Sequence, residues 1–298
     1  MEQLRVVDLK SLKIGAVLNT ASGSCSNESV AEMEAILQEY ELTPVRIWCS
    51  ASDELHLAFA EVAKRDLDVL IVLGGDGTIR SAAELCTPEG PLLIPLPGGT
   101  MNVLPKALYG TGSWQEILRS VLMAPTVKRI SGGEVAGHRF FIAAVCGAPA
   151  LWTHVREALR ARNIGEMIEH GKVALSHMFA DKIHYQFNEM HEGDTEALTV
   201  TCPLVSSSLE SDRDVFEAAV IDVNDAGEVL ALATAAAFGQ WREAKQVAIV
   251  RTRSVTVSSR ENIPIILDGE TVDVGTEVSI QFLKEAFDVL VPHNEVLS

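Results

Sequence analysis

The sequence lacks cysteine pairs at metal or redox spacing, a Walker-type phosphate loop and a long apolar run. Its five cysteines stand far apart, with no C-x-x-C pair, so we predict buried, reduced thiols rather than a disulfide framework or a zinc site. No apolar run reaches the roughly 18 residues of a membrane-spanning helix. The N-terminus has no signal-peptide pattern. We therefore expect a soluble, cytoplasmic protein.

Basic residues are also scarce. The chain has 24 lysines and arginines against 41 acidic residues, and its net charge is −17. This charge argues against a nucleic-acid partner, because the phosphates would be repelled. It also disfavours broad adhesion to anionic membranes. A lipid substrate would need an apolar pocket and a few local cations, with transient contact at the inner membrane surface. The sequence leaves the oligomeric state open.

The chain has 298 residues, 47% of them hydrophobic, which predicts two domains. Residues 1–125 alternate short apolar runs with helical patterns, which is typical of a Rossmann-like α/β domain with a parallel sheet. The predicted strands are 14–18, 45–48, 69–73 and 92–96. The predicted helices are 29–40, 55–62 and 79–86.

Residues 126–298 show a different pattern, which predicts a β-rich, antiparallel, sandwich-like second domain. Its last residues are expected to pack back on the first domain. The predicted strands are 127–130, 140–145, 197–205, 215–223, 246–257 and 263–267. Two helical stretches, 151–180 and 227–238, interrupt them.

The strongest local motif is Gly74-Gly75-Asp76-Gly77-Thr78, between an apolar strand and a helical pattern. Glycines let backbone amides approach phosphate oxygens, and the following helix presents its positive N-terminus. Asp76 adds a carboxylate where a nucleotide-bound Mg²⁺ would lie. The alternative is a plain glycine-rich turn whose aspartate caps the helix.

Two further loops leave neighbouring strands with the same small, polar character. One is 97–102, which contains Gly99, Thr100 and Asn102, and the other is 19–24. Ligands of open parallel sheets bind at the carboxyl ends of the strands, so the three loops together predict a nucleotide site. The loop 19–24 taken alone is more typical of a plain turn with an N-cap for the next helix.

Asp268-Gly269-Glu270 lies between two alternating apolar runs, which predicts a hairpin turn. The functional alternative is a carboxylate that takes a proton from an attacking hydroxyl, with its neighbour tuning it or binding metal. One turn can serve both purposes.

These three motifs, in this order and at these separations, resemble the diacylglycerol kinase catalytic family, which includes sphingosine and ceramide kinases and small bacterial lipid kinases. The family belongs to a superfamily with the NAD kinases. The resemblance implies an N-terminal domain that holds ATP and a β-rich second domain, with the active site between them. The implied activity is the ATP- and Mg²⁺-dependent phosphorylation of a hydroxyl on diacylglycerol or a related lipid alcohol.

Residue roles follow from the same resemblance. Asp268 matches the family's general base and Glu270 its essential companion. Asp76 is expected to hold Mg²⁺ with the ATP. The nucleotide-binding residues implied are Asn19, Ser22, Gly23, Gly74, Gly75, Asp76, Gly77, Thr78, Gly99, Thr100 and Asn102.

The sequence departs from the family pattern at two places. Val103 stands where many members have an aspartate, so any polar role there is missing. Bacterial members often bind a structural Mg²⁺ through an Asp-Gly pair, and the nearest counterpart here is Asp212-Arg213, which makes Asp212 a doubtful ligand.

Three arginines, Arg156, Arg160 and Arg162, accompany an apolar stripe at helical spacing. They could form a lid that meets lipid headgroups, or simply the solvated face of an ordinary helix. Two other functions remain open for the chain: a kinase for a soluble metabolite, and a nucleotide- or lipid-binding regulator without turnover. NAD kinases are expected to carry an Asn-Glu pair where this chain has Gly99 to Asn102.

Overall fold

The computed structural model describes residues 6–26, 28–51, 53–147, 182–188, 191–206, 209, 214–223, 228 and 241–293. The chain divides into two compact units: residues up to 131 with those from 284 onward, and residues 132–283. The predicted boundary at 125/126 falls a few residues before this division. Among the described residues, no helix has the length and apolar character needed to cross a bilayer.

The first unit is an α/β structure. Its complete strands are β1 (Ile14–Asn19), β2 (Arg46–Ser50), β3 (Val69–Gly74) and β4 (Leu92–Pro97). Its helices are α1 (Ser29–Glu39), α2 (Leu55–Val62), α3 (Asp76–Leu85), α4 (Val103–Tyr109) and α5 (Trp114–Met123). The predicted parallel sheet is confirmed, because β1 pairs in parallel with β2 and β3, and β3 with β4.

The central strands of this sheet are apolar on both sides. Every residue of β1 and β3 is buried, as expected for a parallel sheet that helices cover on both faces. Amphipathic helices supply the cover, with Met33 and Ile36 of α1 and Leu118 and Val121 of α5 buried in the same cluster as β1 and β3. This packing fixes the strand ends from which the polar loops emerge.

The second unit is antiparallel, as predicted. Its strands, some of which extend beyond it, are β5 (Pro125–Val135), β6 (His138–Phe140), β7 (Ala143–Gly147), β8 (Ile183–Phe187), β9 (His191–Thr195), β10 (Ala197–Thr201), β11 (Phe216–Ile221), β12 (Val247–Thr252), β13 (Ser254–Ser258), β14 (Ile265–Leu267), β15 (Glu270–Val272) and β16 (Glu277–Pro292). One six-stranded sheet has the order β12-β11-β10-β7-β14-β15. A second antiparallel set joins β9, β8, β13 and the first part of β16.

The core of the second unit is formed by alternating side chains from both sets of strands. Ala144 and Val200 of the six-stranded sheet belong to the same buried cluster as Val255 and Ile280 of the other set. Phe140 and Phe216 stack in this cluster with ring centroids 5.7 Å apart. The alternation of apolar and polar residues thus correctly predicts an antiparallel β unit.

Several elements differ from their sequence-based prediction. Helix α3 begins at Asp76 rather than at residue 79, so the glycine motif forms its first turn. The predicted strand 246–257 is two strands, β12 and β13, which belong to different sheets. Residues 203–205 form a 3₁₀ turn instead of extending β10. The start of α3 was missed because glycine and aspartate give no helical periodicity, and the ends of β10 and β12 were missed because strand-like residues continue through a change of backbone direction.

Four elements were not predicted from the sequence: α4, α5, the β8–β9 hairpin and β16. For α5 a signal was present, because Ser113 and Glu116 form a capping box whose S-x-x-E spacing is visible in the sequence. Helix α4 is short and carries a proline in its first turn, where the ring is tolerated but a helical pattern is hard to recognise.

The expectation that all five cysteines are buried is wrong for two of them. All five are free thiols, but Cys49 is exposed and Cys25 is partly exposed. Cys49 lies on β2, the edge strand of the parallel sheet, where one side chain in two faces outward. Burial raises the pKa of the Cys86 and Cys146 thiols to about 12.

Candidate active site

Three loops meet at the carboxyl edge of the parallel sheet in the first unit. Asn19, which ends β1, donates from its side-chain amide to the Thr78 hydroxyl at 2.9 Å. The Ser24 amide donates to the Gly98 carbonyl, also at 2.9 Å. The Asn102 amide donates to the Asp76 carboxylate. The loops after β1, β3 and β4 are therefore tied to one another by hydrogen bonds.

The middle loop presents a helix N-terminus to this edge. Gly75 is the N-cap of α3 in an extended conformation, and Asp76, Gly77 and Thr78 form the first turn. The N–H groups of a first helical turn have no acceptor within the helix, and the helix dipole makes them partially positive. Gly75 has no side chain that could cap them. The arrangement suits a bound phosphate.

The glycines of the two neighbouring loops are also required by contact between the loops. A Cβ on Gly98 would lie 2.8 Å from the Gly74 nitrogen, and a Cβ on Gly99 would lie 2.7 Å from the Gly75 Cα. Such distances are shorter than real Cβ contacts, so a larger residue would push the two backbones apart. Glycine is thus favoured at this edge for two reasons: it allows a phosphate to approach the backbone amides, and it allows the two loops to pack against each other.

Both oxygens of the Asp76 carboxylate accept backbone N–H groups at the start of α4. Oδ2 accepts from Asn102 at 2.9 Å and Oδ1 accepts from Val103 at 2.6 Å. Val103, which replaces the aspartate of many family members, therefore contributes through its backbone. No sequence signal pointed to these donors, because any residue except proline carries the same N–H.

Asn102 closes the second loop on itself. It has left-handed backbone angles, φ 51° and ψ 48°, which asparagine tolerates better than most residues. Its side chain accepts from the Gly99 amide at 2.8 Å and donates to the Gly99 carbonyl at 2.7 Å. Asn102 is also buried, with 8% of its surface exposed, so its side chain serves to shape the loop.

The first loop is organised by Asn19. Its side-chain oxygen accepts from the Ala21 amide at 3.0 Å, and its carbonyl accepts from the Ser22 amide at 3.0 Å. A Cβ added to Gly23 would meet nothing within 4 Å. The structure thus places Ser22 and Gly23 on a short turn beside the other two loops, with open space at Gly23.

In the second unit, the Asp268-Gly269 pair forms the predicted hairpin turn between β14 and β15. Leu267 faces Glu270 in the antiparallel register. The φ angles of Asp268 and Gly269 are +51° and +93°, as in the two-residue turns that match the twist of antiparallel strands. Glu270 starts β15 with an exposed side chain.

The Asp268 carboxylate is held by three consecutive backbone amides. Oδ2 accepts from Phe141 at 2.7 Å, and Oδ1 accepts from Ile142 and Ala143, each at 2.9 Å. These amides lie more than 120 positions earlier in the chain, in the connection between β6 and β7 and at the first residue of β7. Carboxylate bonds to N–H groups are charge-assisted and roughly twice as strong as neutral ones. Asp268 therefore has a defined orientation, which a proton acceptor requires.

The negative charge of Asp268 also acts on the Cys202 thiol. Its pKa is raised well above the ordinary value, first by complete burial and then by the nearby Asp268 carboxylate. This thiol is consequently an unreactive core residue. Its contribution is packing beside Asp268 rather than chemistry.

Several predicted residues lie outside the described part of the chain. They are Asp212, the doubtful magnesium ligand, and the three arginines Arg156, Arg160 and Arg162. Within the described ranges, no group of three or more histidine, cysteine, aspartate or glutamate side chains could hold a metal ion.

The fold and these loops define a two-unit protein whose first unit is a parallel α/β sheet with three hydrogen-bonded loops at its carboxyl edge. Residues 13–135 match the model of the diacylglycerol kinase catalytic domain, so the predicted resemblance to this family is confirmed. The match contains the first two motifs, and Asp268-Gly269-Glu270 lies outside it. The match is to a kinase-family domain, which implies phosphotransfer from ATP.

Solved structures share the fold over almost the whole chain. A candidate diacylglycerol kinase from Bacillus anthracis str. Sterne has a TM-score of 0.73 and 18% identity, covering 97% of this chain and 98% of its own. A diacylglycerol kinase from the same organism has a TM-score of 0.68 and 16% identity, and the match covers 95% of this chain and 97% of that one. An NAD kinase from Archaeoglobus fulgidus, solved with ATP, has a TM-score of 0.52 and 14% identity, and the match covers 95% of both chains.

Proposed function

We propose that this protein is an ATP-dependent lipid kinase that transfers the γ-phosphate to a hydroxyl of diacylglycerol or a related lipid alcohol. The observation that carries the proposal is the phosphate-binding edge inside a region that matches the diacylglycerol kinase catalytic domain. The candidate binding residues are those predicted from the sequence, from Asn19 to Asn102. The proposed location is the cytoplasm, with transient contact at the inner membrane surface.

In the proposed reaction, the substrate hydroxyl forms a bond to the γ-phosphorus while the bond to the β-phosphate oxygen breaks and ADP leaves. The hydroxyl proton passes to the Asp268 carboxylate. The amides of Phe141, Ile142 and Ala143 hold this carboxylate in one orientation. The first-turn amides of α3 stabilise the phosphate charge as it develops.

Glu270 is the proposed companion of Asp268. The hairpin places it two residues after Asp268, and its side chain is exposed. From this exposed position, the Glu270 carboxylate would act with Asp268 or bind metal.

In the first unit, the Asp76 carboxylate is the proposed ligand of a divalent ion. A carboxylate has about four lone-pair directions. Two of those on Asp76 are used by the amides of Asn102 and Val103. Mg²⁺ usually keeps several waters and is bound through one or two carboxylates together with substrate phosphates, so Asp76 remains a suitable ligand. When bound, Mg²⁺ would neutralise phosphate charge.

The direct test incubates the pure protein with Mg-ATP and a total lipid extract. We expect a phosphorylated lipid, detected by mass spectrometry, and its absence with Asp268→Asn. Soluble metabolites run in parallel serve as the comparison. Production of a phosphorylated soluble compound without any phosphorylated lipid would overturn the lipid assignment while keeping the kinase.

A kinase for a soluble metabolite is the second candidate, because the fold is shared with an NAD kinase from Archaeoglobus fulgidus. The second loop argues against it. NAD kinases are expected to have an Asn-Glu pair there, and this chain has Gly99-Thr100-Met101-Asn102. A regulator that binds nucleotide or lipid without turnover would bind ATP in the same experiment and form no product.

A further inference from the structure

Asp76 makes contacts that a simple metal ligand would not need. Its two carboxylate oxygens accept the amides of Asn102 and Val103, at 2.9 and 2.6 Å. Asp76 belongs to the first turn of α3, whereas those amides begin α4. The side chain therefore bridges the loop that follows β3 and the loop that follows β4.

The second loop is built to receive this bridge. The left-handed conformation of Asn102 turns its own amide toward Asp76, and its side chain bonds both the N–H and the carbonyl of Gly99. Gly99 in turn packs on Gly75, because a Cβ at Gly99 would lie 2.7 Å from the Gly75 Cα. The two loops are thus joined both by side-chain hydrogen bonds and by direct packing of their backbones.

We propose that Asp76 is a positioning residue that couples the two loops into one rigid phosphate-binding frame before any metal binds. This role rests on the proposed nucleotide site but differs from magnesium ligation. A ligand contributes only when Mg²⁺ is present. A coupling residue contributes equally with and without the metal, because its bonds are to the protein backbone.

The first experiment measures ADP affinity by calorimetry for the wild type and Asp76→Asn, each in excess Mg²⁺ and in excess EDTA. Asparagine keeps the size of the side chain but offers one acceptor oxygen and turns an N–H₂ group toward the second amide. Losing one charge-assisted bond and leaving an N–H unpaired predicts about a 10- to 100-fold loss of affinity. We expect this loss in EDTA as well as in Mg²⁺, and any additional loss in Mg²⁺ alone would come from the separate role of Asp76 as a metal ligand.

The matched control is Asp53→Asn, which removes an exposed aspartate of the same unit and should leave ADP affinity unchanged. A loss confined to the Mg²⁺ condition would overturn the coupling role and identify Asp76 as a metal ligand. If the wild type binds ADP in neither condition, the proposed function fails, and the second experiment decides the coupling alone.

The second experiment measures amide hydrogen exchange in the nucleotide-free wild type and Asp76→Asn, both in EDTA. The coupling predicts slow exchange at Asn102 and Val103 in the wild type and at least a tenfold increase in the variant. If these amides exchange in the wild type as fast as the exposed loop around Gly112, the coupling is wrong. The wild-type measurement stands even if the variant does not fold.

Discussion

The two units each contain an aspartate whose carboxylate accepts backbone amides, but the two carboxylates are held in different ways. Asp76 lies in the first turn of a helix and accepts two amides from the next loop of the same sheet edge, 26 and 27 positions along the chain. Asp268 lies in a hairpin turn with a positive φ angle and accepts three amides from a segment 125 to 127 positions earlier.

This difference indicates how each aspartate acts. The bonds of Asp76 join two segments that would both touch a phosphate, so its effect is on the shape of the binding edge. The bonds of Asp268 fix one side chain on a rigid antiparallel sheet, so its effect is on the direction of a single carboxylate. The predictions below test whether the contrast holds.

The largest expected effect is that of Asp268→Asn on turnover. Removing a general base lowers kcat by about 10² to 10⁴-fold, and asparagine tolerates the left-handed backbone angle. ADP affinity should be almost unchanged, because the nucleotide loops belong to the first unit. Steady-state kinetics with a lipid that the phosphotransfer test shows to be a substrate and calorimetry with ADP measure the two quantities.

The control for this variant is Glu261→Gln, an exposed acid of the same unit. It should retain wild-type kcat. Near-normal turnover of Asp268→Asn would show that another group accepts the proton. Asp268 would then have no catalytic role to set against the positioning role of Asp76.

A second prediction compares ion pairs of the two units. In the second unit, Glu217 is fully buried and bonds the Arg242 side chain and the Ser206 hydroxyl, each at 2.8 Å. Arg242→Gln removes this ion pair from a fully buried carboxylate, which should lower the free energy of unfolding by about 3 kcal/mol. Urea denaturation measures the change.

The matched variant in the first unit is Arg119→Gln. Arg119 pairs with Glu39 through two bonds of 2.9 Å, but both side chains are nearly half exposed, so water replaces the lost contact. We expect a clearly smaller destabilisation than for Arg242→Gln. Equal losses in the two variants would contradict the difference in burial on which the comparison depends.

A third prediction concerns the contact between the glycine loops. Gly98→Ala places a Cβ 2.8 to 3.0 Å from three backbone atoms of Gly74, which cannot move as a flexible side chain would. The strain should lower the free energy of unfolding by about 2 kcal/mol. Gly112→Ala, whose Cβ would make only ordinary contacts of 3.6 Å or more, is the control and should be close to neutral. Similar stability of the two variants would disprove the close packing of the loops.

The smallest expected effect is on thiol labelling. Cys49 is exposed on the edge strand of the first unit, whereas both thiols of the second unit, Cys146 and Cys202, are buried. Iodoacetamide at neutral pH should therefore modify Cys49 long before Cys146, whose pKa is raised to about 12 by burial. Peptide mapping by mass spectrometry gives the order, and early labelling of Cys146 in the folded protein would contradict it.

Much of the fold was predictable because its strands and helices follow from local patterns of apolar and polar residues. Fully apolar runs between helical patterns predicted the buried strands β1, β3 and β4, and alternating runs predicted the antiparallel second unit. The β12–β13 boundary was missed because residues with high strand propensity continue on both sides of Arg253, with no glycine or proline between the two strands. The α5 helix could have been found from its capping box. Strand β8 also carried a signal, because apolar and polar residues alternate from Ile183 to Phe187, whereas β9 is almost entirely polar and gave none.

The sequence by itself determined which residue types stand at the ends of the parallel strands and in the Asp-Gly turn, because glycine, asparagine and aspartate are chosen for backbone angles and small size. Only the tertiary structure decided which donors meet the two aspartates. Those donors are backbone N–H groups of Asn102, Val103 and residues 141–143, and every non-proline residue carries one. A group common to almost all residues leaves no mark in a sequence, so its use depends on which segments the fold brings together.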